Sequence, residues 1–163
     1  MLAVQGSAAE RLAGWVSWSQ PREDPMQALS PEQYGRLREL AEAWTRRHLK
    51  SAKREPQFNP RLGADALCFQ PVRDQLLGAL ITPVSLSLAM LPQDPNAFAP
   101  DDGATHRVEL PSGGYLFTAE RLEPGIWLWR CQVLDDLSDV ESLQQASRLA
   151  QQLMERIMTH DDG

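Results

Sequence analysis

The stretch Thr105-His106-Arg107-Val108-Glu109-Leu110-Pro111-Ser112-Gly113-Gly114-Tyr115-Leu116-Phe117-Thr118-Ala119-Glu120-Arg121-Leu122-Glu123-Pro124-Gly125-Ile126-Trp127-Leu128-Trp129-Arg130-Cys131-Gln132-Val133-Leu134 contains three runs of strand character. The runs are Thr105 to Leu110, Tyr115 to Leu122 and Ile126 to Leu134, and the links between them carry the Pro and Gly of tight turns. Short links between consecutive strands predict an antiparallel meander. In the third run Trp127, Trp129, Cys131 and Val133 share one face, because side chains alternate along a strand. The other face begins apolar with Ile126 and Leu128 and turns polar at Arg130 and Gln132, as expected where a helix covers part of it.

Upstream, Ala64 to Pro71 and Leu76 to Thr82 read as a hairpin with Val72 to Gln75 as its turn. Pro83 has no N–H for a ladder, so the chain leaves the sheet there or runs along an edge. Ser85 to Leu91 alternates too, but seven residues leave strand and helical turn both open. Pro92 to Gly103, with three prolines and three aspartates, reads as a loop.

Helices flank this region. Ser30-Pro31-Glu32-Gln33 is a capping box with proline at the first helical position, and Tyr34, Leu37, Leu40, Ala41, Trp44 and His48 then fall on one face. This helix is expected to end near Arg54, before Pro56. Ser138-Asp139-Val140-Glu141 offers a second box, opening a helix to Met158 with Val140, Leu143, Ala146, Ala150, Leu153, Met154 and Ile157 inward. A short helix from Ser7 to about Trp18, followed by a polar stretch with Pro21 and Pro25, forms an N-terminal arm.

The expected fold is therefore α+β: an antiparallel sheet of about five strands packed against an N-terminal and a C-terminal amphipathic helix. Residues 1–29 are the arm, 30–158 a single domain and 159–163 a polar tail. At 163 residues the chain has the size of one domain, with 42% hydrophobic and 23% charged residues. Leu76 to Pro92 is interrupted by Pro83 and three hydroxyl residues, so no membrane insertion is expected. The first residues lack a basic region and an apolar run of signal-peptide length, so the expected compartment is the cytoplasm.

The formal net charge of −6 is unevenly spread. Residues 1–62 carry 10 basic and 7 acidic side chains, a net of +3, and residues 63–163 carry 6 and 15, a net of −9. This balance, with a pI near 5.0, argues against nucleic acid as a partner. The run Arg46 to Arg54 is the one concentrated basic segment, and it suits the negative end of a helix.

No nucleophile elbow, P-loop or dinucleotide fingerprint occurs. His48, His106 and His160 lie in different elements, and 62 residues separate Cys68 from Cys131, so neither a metal nor a cofactor is expected. The acidic pairs Asp135-Asp136 and Asp161-Asp162 read as solvated charge, so no catalysis is expected. The candidate protein-binding residues are instead apolar or proline-bearing: Thr82, Pro83, Val84, Leu110, Pro111, Gly113, Tyr115, Phe117, Trp127 and Trp129. Tryptophan is enriched at binding hot spots, and disrupted strand ends can offer an edge to a peptide.

Over roughly residues 35–158 the chain resembles the HybE/HupJ family of [NiFe]-hydrogenase assembly chaperones. The resemblance is carried by the helix with Arg46-Arg47, Asn59-Pro60-Arg61-Leu62, Gly78-Ala79-Leu80-Ile81-Thr82-Pro83, Leu110-Pro111-Ser112-Gly113 with Tyr115 and Phe117, Cys131 and the final helix. Two positions depart from the family pattern: Val84 stands where tryptophan is common, and Asp135-Asp136 where Ser-Pro is. The resemblance implies a non-enzymatic protein that binds an immature hydrogenase large or small subunit, or its twin-arginine signal peptide, and delays export until assembly is complete. Other maturation proteins are further implied partners, and the oligomeric state stays open. The alternatives are a generic interaction or scaffold domain unrelated to hydrogenase, and a small enzyme with a noncontiguous site.

Overall fold

The computed structural model describes residues 29–159. The arm and its Trp15 and Trp18, and the tail beyond Thr159, lie outside the described residues. The elements are α1 (Pro31–Ala52), β1 (Asp65–Val72), β2 (Gln75–Thr82), β3 (Ser85–Pro92), β4 (Thr105–Leu110), β5 (Gly113–Glu123), β6 (Ile126–Leu134) and α2 (Leu143–Ile157). They form an α+β fold with a six-stranded antiparallel sheet in the order β1-β2-β3-β6-β5-β4.

The sheet has one strand more than expected, because Ser85–Pro92 is β3 and lies between β2 and β6 near the centre. It is buried on both faces, Ser85 and Ser87 included, so its alternation of residue type does not mark an exposed side. Pro83 and Val84 form the two-residue turn between β2 and β3, with Thr82 paired to Ser85. Proline there interrupts no ladder.

The two helices cover opposite faces of the sheet. Leu76 and Leu80 of β2 join the cluster of Leu37, Leu40 and Trp44 from α1, whereas Ala79 and Ile81 join Ala146 and Ala150 of α2. A strand alternates its faces, so this division assigns the helices to two sides. Ser30 caps α1 as expected, its hydroxyl accepting from Gln33 N while Gln33 Oε1 accepts from Ser30 N. Such a cap contributes about 1 kcal/mol. Tyr34, expected inside, is 54% exposed.

The final helix begins later than expected. Asn59, itself buried, donates through Nδ2 to the carbonyls of Leu137 (2.9 Å) and Val140 (2.8 Å). Asp136 Oδ1 meanwhile accepts from Ser138 N. These bonds hold 137–140 as a turn and override the box at Ser138. Ser142 caps α2 instead, accepting from Gln145 N, and Leu143 in the first turn is exposed. Asn59 N also donates to Pro83 O at 3.0 Å, so the Asn59 segment, the Pro83 turn and the loop before α2 meet at one buried amide.

Candidate functional site

The sheet is strongly curled. Although β3, β6 and β5 intervene in the order, residues of the β1–β2 turn and of β4 line the same groove. Arg73 in that turn adopts φ 57° and donates from Nη2 to Glu109 O, 3.1 Å away. The groove lies on the α2 face and measures about 450 Å³. Leu77, Met90 and Trp129 form its floor, while Val72 and the turn stand on one side and His106, Val108 and Leu110 on the other. The His106 and Trp129 rings are 5.5 Å apart, and Trp127 meets Trp129 edge-on at 6.4 Å. Arg73 and Asp74 give the rim mixed charge.

Of the ten residues expected to bind protein, Leu110 and Trp129 line this groove and Trp127 stands beside it. Tyr115 and Phe117 belong to the apolar cluster that continues the floor beneath Met154 and Ile157 of α2, and Tyr115 Oη is 2.6 Å from Ser112 Oγ. Pro111 and Gly113 shape the β4–β5 turn, Gly113 with φ 144°, and Ser112 N donates to Ile157 O. This turn anchors the end of α2.

Thr82, Pro83 and Val84 are not part of the groove. Thr82 is fully buried, with Oγ1 2.9 Å from Ser85 Oγ and accepting from Val84 N. Val84 packs on the α1-side cluster. The structure therefore divides the expected set between two faces. Leu77, Met90, Val108 and His106 were absent from that set. The odd-numbered alternation Leu77, Ala79, Ile81 was visible in the sequence, but only the curl of the sheet brings it opposite β4.

Beneath α1 lies a polar network. Arg130 donates to Ser87 Oγ (3.0 Å), Ser85 Oγ (2.9 Å) and Glu120 Oε1 (3.2 Å), and Glu120 Oε2 is 2.6 Å from His48 Nε2. Ser85 and Ser87 are buried, so Arg130 supplies donors that an apolar neighbour would deny them. Farther out, Arg46 makes a two-bond ion pair with Glu123 at 2.6 and 2.9 Å. That contact holds the Glu123 carboxyl below its ordinary range, chiefly through the hydrogen bond.

Among the described residues no cluster of three His, Cys, Asp or Glu side chains is placed to hold a metal, and no helix is long and apolar enough to cross a membrane. Burial pushes the Cys68 and Cys131 thiols up, so the thiolate is their minor form at neutral pH.

A family model for the [NiFe]-hydrogenase assembly chaperone HybE matches residues 35–162. The chain belongs to this family. The solution structure of HybE from Escherichia coli is similar in fold, with a TM-score of 0.59 and 21% sequence identity over 73% of this chain and 76% of that one. A search of curated protein sequences found no match. In this member of the HybE family the segments Asn59 to Leu62 and Gly78 to Pro83 meet at the Asn59 junction, and Leu110 to Gly113 seats the end of α2. Membership makes it a chaperone of hydrogenase assembly, with hydrogenase-related partners.

Proposed function

We propose that this chain, acting in the cytoplasm through a single domain of residues 30–158, binds an immature [NiFe]-hydrogenase subunit and delays its export until assembly is complete. The segment that enters the groove is the apolar part of the subunit's twin-arginine signal peptide. The observation that carries this reading, beside family membership, is the groove over Leu77, Met90 and Trp129, closed below by the core and rimmed by polar side chains. Apolar side chains rimmed by polar ones suit an amphipathic peptide that lays its apolar part inward, and a rigid aromatic side chain such as Trp129 loses little entropy on binding.

Electrostatics acts at longer range. The rim itself is mixed in charge, but residues 63–163 carry a net charge of −9, which favours approach of a basic peptide and weakens as salt rises. Leu110, Trp127 and Trp129 touch the peptide in this reading, Tyr115 and Phe117 support the floor, and Thr82, Pro83 and Val84 maintain the fold.

The test is capture of the tagged full chain from its host under hydrogenase-inducing growth, followed by mass spectrometry. A precursor small subunit with its signal peptide attached supports the proposal. A large subunit still carrying a C-terminal extension keeps the chaperone role and overturns the signal-peptide assignment. Recovery of unrelated proteins while precursors are abundant overturns both in favour of a general scaffold.

A further inference from the structure

Along β4 the backbone presents an open row of polar groups beside the groove. Ala119 N donates to Ala104 O at 2.8 Å, and Thr105 to Leu110 then pair residue for residue with Thr118 back to Gly113 without a shift. Bonded and non-bonded pairs alternate along an antiparallel ladder, so His106, Val108 and Leu110 direct their N–H and C=O groups to β5. Thr105, Arg107 and Glu109 direct theirs away from it, toward the β1–β2 turn. The bond from Arg73 Nη2 to Glu109 O has the direction that this alternation requires. It takes one carbonyl. The N–H groups of Thr105, Arg107 and Glu109 and the carbonyls of Thr105 and Arg107 make no hydrogen bond with any described residue.

The two edges of the sheet differ. β1 carries a bulge between Leu67 and Gln70 and then Pro71, devices that blunt an edge against pairing. β4 has neither, and its exposed Arg107 and Glu109 side chains pair with each other at 3.0 Å. His106, Val108 and Leu110 line the groove, so the open backbone row and the groove belong to the same strand.

We infer that the client segment enters the groove as an extended strand that pairs with β4 and adds a seventh strand to the sheet. This rests on the reading that the groove receives the client's apolar segment, and it fixes that segment's conformation. Main-chain bonds to Thr105, Arg107 and Glu109 hold the strand, while every second side chain turns inward to Trp129. Thr105 to Glu109 spans roughly 13 Å at about 3.3 Å per residue, so the partner is a stretch of about five residues with apolar side chains at alternate positions. The β1–β2 turn stands across the groove from β4, which leaves room for one strand. The β4 of a second copy would bring its own β5 against that turn.

The test is amide hydrogen exchange of the full chain by NMR, with and without a synthetic twin-arginine signal peptide of the host's hydrogenase small subunit. The Trp129 indole N–H reports independently on the groove. A shifted Trp129 signal is expected, with exchange at Arg107 and Glu109 slowed about tenfold or more. A Trp129 shift with unchanged exchange at Arg107 and Glu109 overturns the strand and leaves the groove reading standing. No change at Trp129 or on β4 overturns both. Slowing that appears without peptide and grows with protein concentration overturns the inference in favour of a second copy. As a second measurement, Arg107→Pro removes an edge N–H without touching a bond to β5 and weakens the peptide about tenfold in isothermal titration, whereas Arg107→Ala leaves affinity within about twofold. Equal affinities for the two folded variants overturn the inference as well.

Discussion

The Arg73 guanidinium and the Glu109 carbonyl, 3.1 Å apart, join the β1–β2 turn to the edge strand β4 across the concave side of the sheet. Gln93 holds the same turn from behind, donating from Nε2 to Arg73 O at 2.9 Å and to Gln75 O at 3.3 Å, while Arg36 of α1 donates to Gln93 O. One wall of the groove is thus fixed to α1 through a chain of hydrogen bonds. Its shape is built into the fold before any partner arrives.

From that geometry, Trp129→Ala weakens binding of a precursor signal peptide about 30-fold, the loss associated with a hot-spot aromatic. Leu116→Ala, which removes an exposed side chain outside the groove lining, leaves affinity unchanged. Isothermal titration of both folded variants checks this. Equal affinities for the two would remove Trp129 from the site.

Val84→Trp restores the residue common after Ile-Thr-Pro in the family resemblance, and it leaves peptide affinity within about twofold of the parent. The position faces the α1-side cluster, not the groove, so a larger side chain there changes packing. Overpacking costs about 1–3 kcal/mol where it cannot relax. Thermal melting and the same titration separate the two effects, and a clear gain in affinity would contradict the placement of the site.

The sequence made some of this legible for definite physical reasons. The box at Ser30 and the meander from Thr105 to Leu134 are local signals, and both elements formed as read. Ser85 to Leu91 carried no deciding signal because seven alternating residues fit a strand or a helical turn, and only its place between β2 and β6 makes it a strand. The box at Ser138 was a valid local signal defeated from 78 residues away by Asn59. The groove was legible only in part, since Trp129 and Leu110 advertise themselves by type, whereas Leu77 and Met90 become lining residues through sheet curvature.

Gly78→Ala is expected to destabilise the fold by about 1–3 kcal/mol. A Cβ at this position collides with the ring of Phe69 on the neighbouring strand, where β1 bulges and Cys68 adopts φ 61°. The close approach explains the glycine in Gly78 to Pro83. In the Phe69→Ala background the same substitution costs less, giving a coupling measurable by urea unfolding of the four-member cycle. Additive costs would show that the glycine serves another purpose.

Arg130→Met keeps the aliphatic stem but removes the donors to Ser85, Ser87 and Glu120, and a loss of about 2 kcal/mol is expected. The arginine and Glu120 side chains retain 20% and 24% exposure, so the cost stays below that of breaking a fully buried pair. Ser87→Ala removes one hydroxyl and costs less. Urea unfolding at neutral pH gives both values, and an Arg130→Met midpoint equal to the parent's would mean that water satisfies the serines.

The ion pair of Arg46 with Glu123 gives a pH signature of defined sign. Its hydrogen bond, and secondarily its charge attraction, hold the folded-state carboxyl below the unfolded value of about 4.3. The pair's stabilisation is therefore present above that unfolded value and disappears as pH falls through the lower folded one. Both groups are solvent-exposed, so the effect on global stability is small and the informative quantity is the titration itself. In an NMR titration of the Glu123 side-chain carboxyl carbon, Arg46→Met raises the midpoint toward that of an unpaired glutamate. A midpoint unmoved by the substitution would show that the pair does not persist in solution, leaving Arg46, with Arg47 and Arg121 in the neighbouring cleft, as open cationic surface.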